Sequence, residues 1–374
     1  MSVVQVIPVE GRRGRAFHQV PAEVYGAAGL PWTPPLVSEE RRLFDRSRNP
    51  SLEGTEYARW VALRGARPVG RVAAFAPRSP DDVGYFGVFE CIDDEPTACA
   101  LLSAAESWLA SLGRGRCLGP LVINPRDQIG LLTDGFDRPA TLLTPYNPPY
   151  YAGLLERAGY RVAVRLRAYA WEPAMPDPRG MLALDARLRA ASPIHIRPID
   201  ANRLEAEALA IADVINRSFG ATWRWTPITR AEALRLATDL RPIIDPRLCL
   251  VAEDARGACG VALTVPDANW LLRRIGGRLW PLGWFTAARL RRRIPWARFM
   301  ALAVLPGRRA SGTALRLLVA THRALVAGGF EYAEGSQVFD DNALMRRLLE
   351  RMGCAVVKRY AVFERDLTVG VTGC

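Results

Sequence analysis

The sequence predicts two successive α/β domains, and three observations carry that prediction. Hydrophobic residues alternate with period two and with period 3.6 in turn along the whole chain. The order of these runs repeats after roughly 180 residues, as duplication of one α/β unit would leave it. The two copies also end alike, because Leu154-Leu155-Glu156-Arg157-Ala158-Gly159-Tyr160 parallels Leu348-Leu349-Glu350-Arg351-Met352-Gly353-Cys354.

In the first copy a strand is expected over 3–9, followed by a helix or loop over 20–30. Residues 56–75 form two strand-like runs around Gly65, which is a hairpin signal. A third strand covers 83–91. The period then changes, and Leu101, Leu102, Ala105, Trp108, Leu109 and Leu112 share a helical face that Gly113 closes. A strand over 117–123, a short helix over 150–158 and a strand over 160–171 complete the copy. The prolines Pro173, Pro176 and Pro178 with a short helical patch mark the boundary, so the expected domains are 1–175 and 193–374 with a linker over 176–192.

The second copy reads as a strand over 195–199, helices over 203–219 and 229–240, and strands over 249–253 and 260–265. A basic stretch over 270–298 follows. A strand over 299–304 then leads into a helix over 312–328, a strand over 332–337, a helix over 342–352 and a strand over 355–364.

Composition narrows the function. The 374 residues carry a net charge of +12, which favours anionic partners. Seven cysteines without a CxxC pair read as reduced thiols, and three scattered histidines give no metal set. The N-terminal residues have no signal-peptide pattern, and no apolar run of about 18 residues exists. The expected setting is cytoplasmic, with peripheral contact at the inner membrane face.

The most informative chemistry is Arg308-Arg309-Ala310-Ser311-Gly312-Thr313-Ala314, at a strand-to-helix junction. Small residues let backbone N–H groups approach a phosphate, and the helix dipole favours negative charge there. Residues 309–314 match the pattern Q/R-x-x-G-x-G/A and resemble the pyrophosphate loop of GNAT acyltransferases. An ordinary glycine-containing helix start has the same pattern.

The resemblance implies two tandem GNAT domains, each a mixed, mostly antiparallel sheet flanked by helices, with acyl-CoA as co-substrate and no tightly bound cofactor or metal. It implies that the strand over 299–304 parts from the next strand to admit the pantetheine arm, with Leu302 and Val304 on one side. Asp341-Asn342 resembles the segment where an Asn meets the cofactor, although Asn342 equally suits a helix N-cap. The first copy has no equivalent glycine loop, and Glu90, Asp93, Asp94 and Glu95 there would repel a pyrophosphate.

Three further segments resemble a bacterial family of tandem GNAT-like proteins thought to include bacterial ceramide synthases: residues 84–91, Gly119-Pro120 and the run 144–151. The stretch 334–342 resembles that family's E-x-S-W-x-x-E-D-N run, with Gln337 and Asp340 as departures. The resemblance implies N-acylation of a primary amine, a long-chain sphingoid-type base. Tyr146 and Asn147 would line the acceptor pocket, or form a rigid aromatic turn.

In GNAT chemistry a neutral amine attacks the thioester carbonyl. The strand over 299–304 carries no carboxylate, so Glu334 is the first candidate base. Asp341 and Asp340 are weaker, Glu90 and Asp94 lie in the other copy, and Tyr360 is a candidate to protonate the leaving sulfur.

Between Trp270 and Phe299 eight arginines and no acid are interleaved with Trp270, Trp280, Trp284, Phe285 and Trp296. This pattern suits contact with an anionic membrane surface, and Trp280 and Trp284 are candidate lipid-substrate contacts. A solvated basic loop with inward-packed aromatics fits the same residues. No nucleic-acid motif accompanies the stretch, so nucleic acid is not the expected partner. Two other functions remain open on the sequence: Fem-like aminoacyl transfer, and a non-catalytic scaffold with a degenerate core.

Overall fold

The computed structural model describes residues 3–10, 13–26, 29–79, 81–126, 128–276 and 283–368. They form two compact units, 1–166 with 358–374, and 167–357.

The first unit opens with β1 (Val4–Pro8), α1 (Arg13–Gly26) and α2 (Val37–Leu43). The predicted hairpin is β2 (Thr55–Arg64) and β3 (Arg67–Pro77), joined at Gly65 with φ 64°. Glycine suits that turn because positive φ costs it no Cβ clash. Strand β4 (Val83–Cys91) pairs with β3, and α3 (Glu95–Ser111) covers the sheet. Of the predicted helical face, Leu101, Leu102, Ala105 and Leu109 are fully buried, each large side chain contributing about 1.5–3 kcal/mol. Leu112 is instead 43% exposed, because it is the C-cap where the helix leaves the sheet. Gly113, at φ 75°, follows in the left-handed conformation of a helix stop.

The strand expected over 117–123 is shorter, β5 (Arg116–Gly119). It is followed by β6 (Leu131–Asp134), which had no sequence signal, by α4 (Tyr151–Arg157) and by β7 (Arg161–Trp171). Strand order is β1-β2-β3-β4-β5, antiparallel except for β4 and β5, which are parallel.

The second unit contains α5 (Arg179–Ala191), β8 (His195–Pro198), α6 (Leu204–Phe219), α7 (Arg230–Leu240), β9 (Cys249–Asp254) and β10 (Gly257–Pro266). Then come α8 (Ala268–Arg274), α9 (Gly283–Leu290), β11 (Trp296–Val304), α10 (Thr313–Ala327), β12 (Tyr332–Phe339) and α11 (Ala343–Arg351). Its order β8-β9-β10-β11-β12 repeats the first unit's, again with only the last pair parallel. A core of Leu250, Ala252, Ala262, Leu315, Leu317, Leu318 and Val319 lies between sheet and α10.

Two features depart from the expected linear division. The expected linker over 176–192 contains α5, whose Met181 is buried in the core of the second unit with Leu182 and Leu188 packed against it. The last strand, β13 (Ala355–Asp366), pairs with β5 and β6, so residues from 358 onward belong to the first unit. There Arg365 donates to both oxygens of the buried Glu106 at 3.2 Å.

Candidate functional site

The site in the second unit starts from a failure of strand pairing. Strands β11 and β12 pair in parallel from Trp296↔Tyr332 to Phe299↔Gly335, and there the ladder ends although both strands continue. At the same level β11 slips against β10, from Thr264↔Phe299 to Leu263↔Ala301, so Met300 is an inserted bulge residue. A bulge bends its strand and frees backbone groups from the ladder. Leu302 and Val304 remain paired with Ala262 and Gly260 of β10.

Beyond Val304 a 3₁₀ turn, Pro306–Ser311, leads to Gly312 at φ 72°, ψ 10°, and α10 begins. Among the described residues no side chain caps this helix. The hydroxyl of Ser311 donates to the Arg308 carbonyl at 2.6 Å and lies 2.6 Å from the Thr313 hydroxyl. Thr313 is fully buried, and Ala314 packs against the core. The two arginines are anchored by the protein itself. Arg308 donates Nε to Asp254 at 2.8 Å and places Nη2 2.5 Å from the same carboxylate. Arg309 donates to the Ser218 carbonyl at 2.8 Å. The Asp254 carboxyl is held below its ordinary range by the Arg256 backbone N–H and then by Arg308.

Glycine at 312 answers a packing demand as well as a conformational one. A Cβ there would lie 2.5 Å from Cδ1 of Leu188 on α5. The contact joins α5 to a loop far along the chain and leaves no local sequence signal beside the phosphate-loop pattern.

Glu334 sits on β12 in the last paired row but one, opposite Arg298. Its carboxylate is fully buried and accepts the Tyr332 hydroxyl at 2.8 Å and the Ser336 hydroxyl at 3.1 Å. Asp340 is engaged by Arg167 at 2.6 and 3.3 Å, and this bond raises the guanidinium's already high pKa. Asp341 is exposed. Asn342 caps α11, its Oδ1 accepting the Met345 N–H at 3.1 Å.

Tyr360 lies outside the second unit. It is buried on β13, in register with Leu132, within the first unit. Tyr146 and Asn147 also serve the first unit. The Tyr146 hydroxyl donates to the Phe136 carbonyl at 2.7 Å. Asn147 is buried, accepts the Leu132 N–H at 2.7 Å and donates to the Leu132 and Pro148 carbonyls. Its amide is used in bracing β6. Trp280 lies outside the described residues, as do the side chains of Trp284 and Ala310.

The basic stretch divides between inward and outward residues. Leu271 and Ile294 are buried, Trp296 packs tilted against Tyr332 with ring centroids 4.7 Å apart, and Arg273 lies 5.0 Å over Trp296. Phe285 on α9 is 60% exposed, and Arg289, Arg291 and Arg293 beside it are exposed.

The first unit repeats the split and closes it. Strands β4 and β5 pair only from Val83↔Arg116 to Tyr85↔Leu118, and β4 bulges near Val88, which has φ 49°. After Gly119 the chain turns back, and the Leu121 N–H donates to the Phe86 carbonyl at 2.8 Å. A Cβ on Gly87 would lie 1.9 Å from the Leu121 carbonyl oxygen. Helix α3 is capped by Asp94, which accepts the Thr97 N–H at 3.0 Å and Arg64 at 2.8 Å. A built-in carboxylate thus occupies the anion position at that helix start.

Next to this closed split lies a buried polar cluster with no local sequence signal, since its members are spread over more than a hundred residues. Glu90 accepts the Tyr151 hydroxyl at 2.9 Å and lies 3.9 Å from Arg71. Arg71 also binds Glu40, which meets His18. Burial is the largest influence on the Glu90 carboxyl and pushes it up to about 7, against the pull of Arg71.

No protein-family model matches the chain. It is 28% identical over 385 aligned positions to a protein of Caulobacter vibrioides named bacterial ceramide synthase, covering 98% of each chain. It is also 28% identical to protein YghO of Escherichia coli, covering 94% of this chain and 93% of that one. Among solved structures, a tandem GNAT protein from the clavulanic acid biosynthesis pathway superposes with a TM-score of 0.58 at 12% identity, covering 97% and 98% of the chains. A GCN5-related N-acetyltransferase from Sphaerobacter thermophilus superposes at 0.54 and 14% identity, covering 97% and 95%. The chain therefore has the tandem GNAT fold and is similar along its whole length to a bacterial ceramide synthase.

Proposed function

We propose that this protein is an acyl-CoA-dependent N-acyltransferase whose acceptor is a primary amine, and that the acceptor is a long-chain sphingoid-type base. The observation that carries the reading is the contrast between two copies of one motif. The second unit keeps the split between parallel strands open past Phe299 and Gly335, with a glycine-started helix beside it that no side chain among the described residues caps. The first unit crosses its split with Leu121 and caps its helix with Asp94. The acceptor class rests on the relative's name and on the exposed Phe285 with its neighbouring arginines.

In this reading the amides of Ser311 to Ala314 receive the diphosphate, assisted by the α10 dipole. Backbone groups of Leu302 and Val304 line the pantetheine arm. The amine nitrogen attacks the thioester carbonyl and a C–N bond forms. The carbonyl electrons move onto oxygen, where N–H groups at the Met300 bulge receive the charge. Collapse breaks the C–S bond and the thiolate leaves, while the nitrogen loses a proton to the base. Glu334 is the proposed base, with Tyr332 and Ser336 orienting its carboxylate. Arg308 and Arg309 shape the loop through Asp254 and Ser218. Residues 270–298 would rest on an anionic membrane surface and deliver the lipid amine.

The test is calorimetry with CoA and palmitoyl-CoA on the wild type and on Ser311→Asp, which places a carboxylate one residue before the Gly312 cap of α10. The wild type should bind both, and the variant should lose about tenfold in affinity, ~1.4 kcal/mol. A wild type that binds neither overturns the proposal. Mass detection of an N-acylated long-chain amine then tests the acceptor.

A further inference from the structure

A cavity of about 430 Å³ lies in the second unit between α5, the start of β8 and α10. Its wall carries Arg189, Arg316, Arg323, His195 and a single carboxylate, Asp185. With His195 neutral the formal charge is three arginines less one aspartate, or +2.

Arg316 is the residue that makes this a site. It is only 6% exposed. Its Nη1 donates to the Ile194 carbonyl at 2.9 Å. Its Nε is buried and has no hydrogen-bond acceptor among the described residues, with Asp185 3.9 Å away. Asp185 is engaged elsewhere, by Arg323 at 2.7 Å. A buried donor left unmade and a buried charge short of counter-charge both cost free energy. Burial disfavours the Arg316 cation most, Asp185 offsets part of that cost, and Arg189 adds to it. An anion entering the cavity would offset the repulsion among the arginines of its wall.

We propose that this cavity binds a phosphate monoester of a small molecule. The +2 wall matches a dianion, and guanidinium forks bind phosphate oxygens in pairs. The volume falls in the range of small-molecule sites, about 300–1,000 Å³, so the phosphate is carried by a larger body. That body is either the 3′-phosphate end of the donor nucleotide or a separate metabolite.

The test uses the full chain in phosphate-free buffer, with inorganic phosphate, CoA and dephospho-CoA as calorimetric probes. The variants are Arg189→Glu, an exposed position, and Ser311→Asp at the α10 start. Inorganic phosphate should bind the wild type and Ser311→Asp alike, and Arg189→Glu should weaken it about tenfold at an unchanged Tm. If Arg189→Glu also weakens CoA but spares dephospho-CoA, the ester is the donor's 3′-phosphate; if it spares both, the ester belongs to a separate molecule. No phosphate binding to the wild type, or binding that only Ser311→Asp reduces, overturns the proposal. Loss of CoA binding in Ser311→Asp is read independently and bears on the donor site alone.

Discussion

Leu188 and Gly312 pack so closely that a Cβ on the glycine would come within 2.5 Å of the leucine Cδ1. The contact ties α5 to the loop that opens α10. Gly312→Ala faces this contact and the φ of 72° together. The leucine end can rotate away, whereas a left-handed alanine costs about 1–2 kcal/mol wherever its neighbours move. Gly312→Ala should therefore lose about that much stability in urea, and most of the loss should persist on a Leu188→Ala background. Full recovery in the double variant would assign the whole effect to the contact.

Glu334→Gln tests the proposed base. Glutamine keeps an acceptor for one of the Tyr332 and Ser336 hydroxyls and turns an NH2 donor to the other, and it cannot take the amine proton. The expected result is a fall in kcat of about 10²-fold or more at an unchanged KM for acyl-CoA. A kcat within a few-fold of wild type, with a normal melt, would remove Glu334 from the mechanism.

Glu90 should leave a signature in the pH dependence of stability. Its carboxyl stands at about 7 in the folded chain and near the ordinary 4.5 when unfolded. Between these values the folded protein holds a proton that the unfolded chain has released. The Glu90 contribution therefore falls as pH rises from about 4.5 to about 7, and stays a penalty above that. Glu90→Gln should flatten this slope and gain up to about 3 kcal/mol at pH 8. Denaturation midpoints measured from pH 5 to 8 in both proteins check it, and parallel curves would contradict it.

Phe285 offers a surface test. Because it is 60% exposed, Phe285→Ser should change stability by no more than about 0.5 kcal/mol. Recovery with vesicles containing anionic lipid should nevertheless fall in flotation. Equal recovery of variant and wild type would mean that α9 does not touch lipid.

Much of the local structure was legible in advance because its causes are local. The hairpin at Gly65 and the Gly113 stop each rest on a left-handed glycine, and both appear where expected. The run 308–314 does sit between β11 and α10, and Asn342 does cap α11. The fold class followed from the order of such elements. Helix α2 and strand β6 had no signal because VSEERRL carries no apolar stripe and LLTD no apolar–polar alternation.

What escaped at the site escaped for a different reason. Phosphate-loop composition could be read, yet the anchoring of Arg308 by Asp254 joins residues 54 apart. The cluster of His18, Glu40, Arg71 and Glu90 is assembled from helices and strands whose own patterns carry no trace of it.

By itself the sequence determined the alternation of strands and helices, the duplication and the position of the glycine-started helix, since each depends on residues a few positions apart. Tertiary structure alone decided that Leu121 closes one split while the other stays open, that β13 joins the first unit, and that Arg316 is buried beside a cavity. Strand pairing and burial are set by partners far along the chain, and no local period encodes them.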